Sequence, residues 1–145
     1  MSRVERFEDL QVWQLARAVV ARVYSLSREG AFARDFGLCD QMRRSAVSIL
    51  SNIAEGFERR AERSFHHFLA IANGSAGELR AQLYVALDLG YIDRDQFEQC
   101  VSDVNRIGKM CTSLMQYLRE SCEPARTRSD PSTLRPFDPS TPLQA

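Results

Sequence analysis

Residues 41–60 read Gln41-Met-Arg-Arg-Ser-Ala-Val-Ser-Ile-Leu-Ser-Asn-Ile-Ala-Glu-Gly-Phe-Glu-Arg-Arg60 and show two stripes at helical spacing. The first stripe is apolar and predicts the core-facing side of a helix; its members are Leu38, Met42, Ala46, Ile49 and Ile53. The opposite stripe is small and polar; its members are Gln41, Ser45, Ser48, Asn52 and Glu55. Because an ordinary solvated helix face carries long charged side chains, this second stripe indicates a surface that something approaches closely. We expect it to be an oligomer interface.

Three more amphipathic segments surround this helix. The first is expected to begin at an N-cap, Asp9, and to end before Gly30, with an apolar arc wider than one core contact requires. The helix of the opening stretch should begin near Asp35 and end at a left-handed Gly56. Two longer helices should span residues 62–89 and 94–120, the first ended by Gly90 and the second capped by Asp93. With short connections and no strand signal, the pattern predicts an all-α, antiparallel up-and-down four-helix bundle.

Small residues interrupt the third predicted helix midway, in the run Ala72-Asn-Gly-Ser-Ala-Gly77. Glycine in a helix interior costs about 1 kcal/mol relative to alanine. Such a run inside a strong periodic pattern is typical of a close approach between helices.

The chain divides at about residue 121. Residues 1–121 contain the four periodic segments, and residues 122–145 contain all five prolines among Ser, Thr, Arg and Asp. The first part is expected to form one domain, and the second a disordered tail.

Composition limits the function classes. The 145 residues are 44% hydrophobic and carry 19 basic and 19 acidic side chains, a formal net charge of zero. This balance argues against a body that is basic throughout and binds nucleic acid or acidic lipid. All of the basic residues are Arg except Lys109. Arg forms paired hydrogen bonds with carboxylates and phosphates, but a GC-rich genome also gives an excess of Arg over Lys. With neither a signal peptide nor an apolar spanning run, we expect a cytoplasmic protein with no membrane partner.

The residues that could carry metal or catalytic chemistry are few. Cys100, Cys111 and Cys122 are spaced by 11 residues, almost three helical turns, and are expected on one core-facing stripe, with a metal or redox site as the weaker alternative. The two histidines, His66 and His67, are adjacent and lack a Glu-x-x-His motif, so no metal site or other cofactor is expected. No catalytic triad, P-loop or dinucleotide motif is present. We therefore expect a protein that is not an enzyme.

Several motifs resemble one known family. They are Phe7-Glu-Asp-Leu10, Val12-Trp13, Ala46-Val47-Ser48-Ile49, Ser51-Asn-Ile-Ala-Glu-Gly56 and Leu89-Gly90-Tyr91. The chain resembles, over about residues 6–118, the four-helix bundle proteins encoded in intervening sequences of large-subunit ribosomal RNA. The resemblance implies a cytosolic homopentamer without an established biochemical activity. A more distant similarity is to the pentameric accessory protein of diversity-generating retroelements, which is strongly basic and binds nucleic acid, whereas this chain is neutral.

Three functional hypotheses follow. The first is a homo-oligomeric binding or scaffolding protein, expected to be a pentamer, that uses the small polar stripe and the wide face of the first helix as interfaces. The second is an oligomeric ring that binds structured RNA or another nucleic acid through repeated arginines; the candidates are Arg43, Arg44, Arg59, Arg60 and Arg63. The third is a small-ligand or catalytic site at Asn52 and Glu55, although pairing of Glu55 with Arg43 or Arg44 would explain that carboxylate as well.

Overall fold

The computed structural model describes residues 3–122 as a bundle of long helices. After a 3₁₀ turn at Phe7–Asp9, the helices are α1 (Gln11–Leu26), α2 (Gly30–Arg34), α3 (Phe36–Glu58), α4 (Glu62–Asp88) and α5 (Arg94–Cys122). The four long helices, α1, α3, α4 and α5, contact one another in a closed cycle, so that α1 lies diagonally opposite α4. Short connections between neighbouring helices make them antiparallel. The predicted all-α four-helix bundle is confirmed, and the described residues contain no strand.

Three helix ends follow the predicted chemistry. Asp35 caps α3, because its Oδ1 accepts a hydrogen bond from the Leu38 backbone N–H at 3.1 Å. Asp93 caps α5 and exchanges reciprocal hydrogen bonds with Gln96, at 2.8 and 2.9 Å. At the end of α4, Gly90 adopts a left-handed φ of +71°. The Tyr91 N–H then donates to the carbonyl of Ala86, which satisfies a terminal carbonyl of the helix.

Three other predicted ends are wrong. Asp9 lies in the 3₁₀ turn, and Leu10 occupies the N-cap position of α1 without a side-chain hydrogen bond. Gly30, which has a φ of +54°, does not directly follow the first helix but begins the short helix α2. Gly56 lies inside α3, and the left-handed residue of this connection is Arg60, with a φ of +56°. The reason that Gly56 is glycine is therefore not its backbone conformation.

The core contains the predicted apolar stripes. Burying each large aliphatic side chain contributes about 1.5–3 kcal/mol. The members of this core with the largest fully buried side chains include Ile49, Ile53, Leu69, Leu79, Leu83 and Ile107. The wide apolar arc of α1 is used within the chain, because α1 packs against α3, α5 and the 3₁₀ turn together. Val12, Ala16, Val19 and Val23 are buried in this way.

The predicted domain boundary falls at the end of α5. This helix extends through Cys122, and the remainder of the predicted disordered tail lies outside the described residues. Within residues 3–122, none of the helices has the length and apolar composition needed to cross a membrane.

Candidate functional site

The small polar stripe lies along the contact between α3 and α4 of the same chain. Ser45 is buried, Ser48 and Asn52 are half-buried, and Gln41 and Glu55 are exposed. The centre of the stripe therefore faces a neighbouring helix, whereas its two ends face solvent. We call this contact the α3–α4 seam.

Small side chains let the helices approach closely in the seam. The Oγ atoms of Ser48 and Ser75 lie 2.8 Å apart, within hydrogen-bond distance. The Asn52 amide donates to the backbone oxygen of Ser48 at 2.7 Å and to its Oγ at 3.0 Å. At Gly56, an added Cβ would lie only 2.7 Å from the Cβ of Phe68. The close approach that the stripe predicted is thus made by α4, and its role as an oligomer interface stays a prediction.

Glu55 is an exposed surface carboxylate and not a buried one. Its Oε1 accepts from the guanidinium of Arg59 at 3.0 Å, one helical turn away. The expected pairing with Arg43 or Arg44 is wrong. Because the Asn52 amide is bound to Ser48 instead, the geometry brings no acid–base pair together at these two positions.

The first two candidate arginines lie in the middle of α3, and they differ in environment. The half-buried Arg43 donates from Nε to the Ser27 Oγ at 2.9 Å and from Nη2 to the Ser27 carbonyl at 3.4 Å. Its guanidinium also lies 4.7 Å from the centre of the Tyr24 ring. Arg44 is exposed and pairs with Asp40 at 3.2 Å. Arg43 therefore holds the end of α1 against α3, whereas Arg44 is available at the surface.

The other three candidates cluster around the α3–α4 turn, about 22 Å further along α3 at 1.5 Å per residue. Arg60 donates to the Glu5 carbonyl at 2.8 Å, so it anchors the N-terminal arm. Arg59 pairs with Glu55 and lies over the Phe68 ring at 5.1 Å. Arg63 is exposed at the start of α4. The five arginines thus lie in two separate groups and do not form one patch.

The sequence analysis missed an exposed apolar surface on α4. Ile71, Tyr84, Val85 and the adjoining Leu89 are 40%, 52%, 44% and 55% exposed. Small residues lie on the same side of the helix, between these apolar edges: Ala70, Gly74, Gly77 and Ala81. We call these eight residues the outer face of α4.

The two glycines on this face have no close neighbour from another helix among residues 3–122. Nothing in the described residues lies within 4 Å of a Cβ built on Gly74 or Gly77. Of the predicted run, Ser75 therefore makes a close contact with another helix, in the seam. Gly74 and Gly77 make no such contact with the described residues. A sequence signal for the face existed, because residues 68–77 contain no charged side chain although several of them are exposed.

The three cysteines whose side chains the structure describes belong to the buried core. Cys39, Cys100 and Cys111 are free and buried. Burial raises the pKa of Cys100 to about 11 and that of Cys111 to about 11. Their reactive thiolate forms are consequently scarce at neutral pH. Among the described residues, no group of three or more His, Cys, Asp or Glu side chains is placed to hold a metal ion.

These features define a helical bundle protein whose distinguishing surfaces are a tight internal seam and an uncovered apolar helix face. The chain belongs to the 23S rRNA-intervening sequence protein family, whose sequence model matches residues 8–113. A solved structure of a protein of unknown function from the S23 ribosomal protein family of Bacteroides thetaiotaomicron is similar, with 25% identity and a TM-score of 0.67. The match covers 72% of this chain and 95% of that chain. No curated protein matches the chain. The resemblance inferred from the motifs is confirmed.

Proposed function

We propose that this protein is a non-enzymatic scaffold that assembles with copies of itself. The observation that supports the proposal is the outer face of α4, where large apolar side chains are 40–55% exposed along one helix. A surface helix of a monomer normally carries charged residues on its outer side. Exposed apolar side chains grouped along one helix mark a contact with another molecule, and a single charged residue, Glu78, lies among them.

The shape of the outer face suits another long helix. Its small residues lie in the middle of the face, with Ile71, Glu78 and Val85 along one edge and Tyr84 on the other. Small residues let two helix axes approach closely, as Ser48 and Ser75 do in the seam. This chain supplies long helices with small outward residues itself, so a second copy is the occupant that we propose.

The outer side of α1 is the complementary surface that we propose. Ala18, Ala21 and Ser25 are exposed there, one helical turn apart, and none is charged. Since α1 and α4 lie diagonally opposite, a contact between α1 of one copy and α4 of the next joins two different faces. Such heterologous contacts generate rings when the rotation closes. A ring is also what the resemblance implies, and a homopentamer is our specific proposal.

Light scattering on the full chain tests this assembly. We expect a mass near five times the 16.5 kDa of one chain. The double variant Ile71→Glu/Val85→Glu should reduce the mass to that of one chain while circular dichroism stays helical, because it places two charges on the apolar face. Gln99→Glu, an exposed position on α5, is the control and should not change the mass. A wild-type mass of one chain would contradict the proposal.

Nucleic-acid binding is a second candidate function. The observation that favours it is the concentration of Arg59, Arg60 and Arg63 at one end of the bundle, which a ring would repeat in every copy. Fluorescence anisotropy with a structured RNA should then show binding that weakens with salt, and the salt dependence should become shallower in Arg59→Gln/Arg63→Gln. Arg43→Gln should lower the stability of the fold instead. Absence of binding at low salt would leave the scaffold alone.

A further inference from the structure

A groove lies between α4 and α5, and neither the five candidate arginines nor the small polar stripe lines it. This groove is open to solvent and has a volume of about 860 Å³, within the ~300–1,000 Å³ typical of small-molecule sites. Small residues form part of its lining, with Ala76 and Gly77 on α4 and Gly108 on α5. At Gly108 an added Cβ would lie 3.2 Å from the Oδ1 of Asn73, so the floor of the groove has no room for one without displacing that amide.

The groove is cationic although the whole chain is neutral. Arg80 on α4 and Lys109 on α5 line it, and none of its lining residues is acidic. Within residues 3–122, neither of these two side chains forms an ion pair. Other arginines of the described chain, such as Arg22, Arg44, Arg59 and Arg94, do pair with carboxylates. Two unpaired cations from different helices therefore converge on one concave surface.

Neutral hydrogen-bonding groups complete the lining. The Oδ1 of Asn105 accepts a hydrogen bond from Nη1 of Arg80 at 3.2 Å, which holds the guanidinium beside the groove and leaves its other N–H groups available. The side chains of Asn73 and Ser113 form no hydrogen bond within the described part of the chain and can donate to a ligand. The groove thus offers a planar guanidinium, an ammonium, an amide and a hydroxyl to one anionic partner.

We propose that this groove binds the polyphosphate of a nucleotide-sized ligand. Arg forms paired hydrogen bonds with phosphate oxygens, and Lys adds a point charge, a combination that favours phosphate over a neutral ligand. The groove runs for about 10 Å along α4 between Asn73 and Arg80, which is the scale of a nucleotide and not of a folded nucleic acid. The same phosphate chemistry occurs in the backbone of a single strand, so the experiment separates the two sources.

Isothermal titration calorimetry of the full chain tests the proposal, with ATP, inorganic tripolyphosphate, adenosine and a short single-stranded DNA titrated at one fixed ionic strength. We expect ATP and tripolyphosphate to bind and adenosine to give no signal. Arg80→Gln and Lys109→Gln should each weaken binding about tenfold, the loss of one charge-assisted contact. Arg94→Gln, at the far end of α5, removes the same charge and should leave the affinity unchanged.

A second pair of variants places a carboxylate inside or outside the groove. Ser113→Glu should abolish binding by repulsion, whereas Ser102→Glu, also exposed on α5, should not.

DNA binding that is lost in the same variants, without ATP binding, would assign the phosphate to a single strand. Absence of binding by ATP, tripolyphosphate and DNA would overturn the proposal. Equal weakening of binding by Arg94→Gln would also overturn the proposal, because it would show unspecific attraction between charges. A change of assembly mass in Arg80→Gln without a change of ligand affinity would overturn the proposal too. Because the mass is measured separately, failure here and failure of the scaffold proposal are distinguishable.

Discussion

The two sides of α4 are built from similar residues but have different surroundings. On the side of α3, Ser75 meets Ser48 at 2.8 Å, and a Cβ on Gly56 would collide with Phe68. On the outer face, a Cβ on Gly74 would meet no atom of the described residues within 4 Å. In the seam, the close contact between α3 and α4 therefore requires small residues. On the outer face, they have no such requirement within the chain.

This difference shows where composition carries information about assembly. Small residues in the interior of a helix reduce its intrinsic stability, by about 1 kcal/mol for each glycine. Packing in the seam offsets that loss, since buried contacts and hydrogen bonds form there. The outer face shows no compensation in the single chain, and the proposed contact with a second copy would supply it.

The largest expected effect comes from filling the seam. Gly56→Ala places a methyl group 2.7 Å from the Phe68 Cβ and 3.1 Å from Cδ2 of Phe65. Since the Cβ of Phe68 is fixed by the backbone and cannot swing away like the far end of a flexible side chain, the helices have to separate. We expect a loss of about 2–3 kcal/mol in the free energy of unfolding, measured by urea denaturation. Gly37→Ala, in the same helix but with 3.9 Å to its nearest neighbour, is the control and should not destabilise the protein. An equal response in the two variants would contradict the close approach at Gly56.

A smaller effect is expected from the polar contact in the seam. Ser75→Ala should lower the free energy of unfolding by about 1 kcal/mol, because it removes one partner of a half-buried hydrogen bond. Ser48→Ala should lower it by more, because its Oγ also accepts from the Asn52 amide. In a double-mutant cycle, the two losses should not add, and the coupling energy should be at least about 0.5 kcal/mol. Ser51→Ala, exposed on the same helix, serves as the control. Strictly additive losses would show that the two hydroxyl groups do not interact.

Local chemistry made much of the fold predictable. The N-caps Asp35 and Asp93 and the left-handed Gly90 depend on residues within a few positions of each other, and the structure has all three as expected. Helical periodicity likewise gave the four long helices and their core stripes, because burial repeats with the helical turn. These features need no knowledge of the neighbouring helix.

The errors arose where the cause lies on another helix. Gly56 resembles a helix stop by itself, and only the position of Phe68 shows that close packing requires it. The small polar stripe was interpreted as an oligomer interface, and Ser48 contacts Ser75 of the same chain. The sequence does not say whether an approaching helix belongs to the same chain. Arg43 and Arg44 are adjacent in sequence, yet Ser27 engages only the first of them. The outer face of α4 was missed because its side chains look like core residues in the periodic pattern.

The smallest expected effect is that of Gly74→Ala. It shows most directly whether a second copy covers the outer face of α4. Gly74→Ala adds a methyl group where the single chain has open space, and alanine stabilises a helix by up to about 1 kcal/mol relative to glycine. For a single chain, the free energy of unfolding should therefore rise. If a second copy covers the face, the same methyl group enters the contact and should weaken assembly, which makes the apparent stability fall at high protein concentration. We expect a gain in dilute solution and a loss when the protein is concentrated, measured by urea denaturation at both concentrations with the mass followed by light scattering. A gain that is independent of concentration, with the mass unchanged, would mean that the outer face of α4 near Gly74 is not covered by another copy.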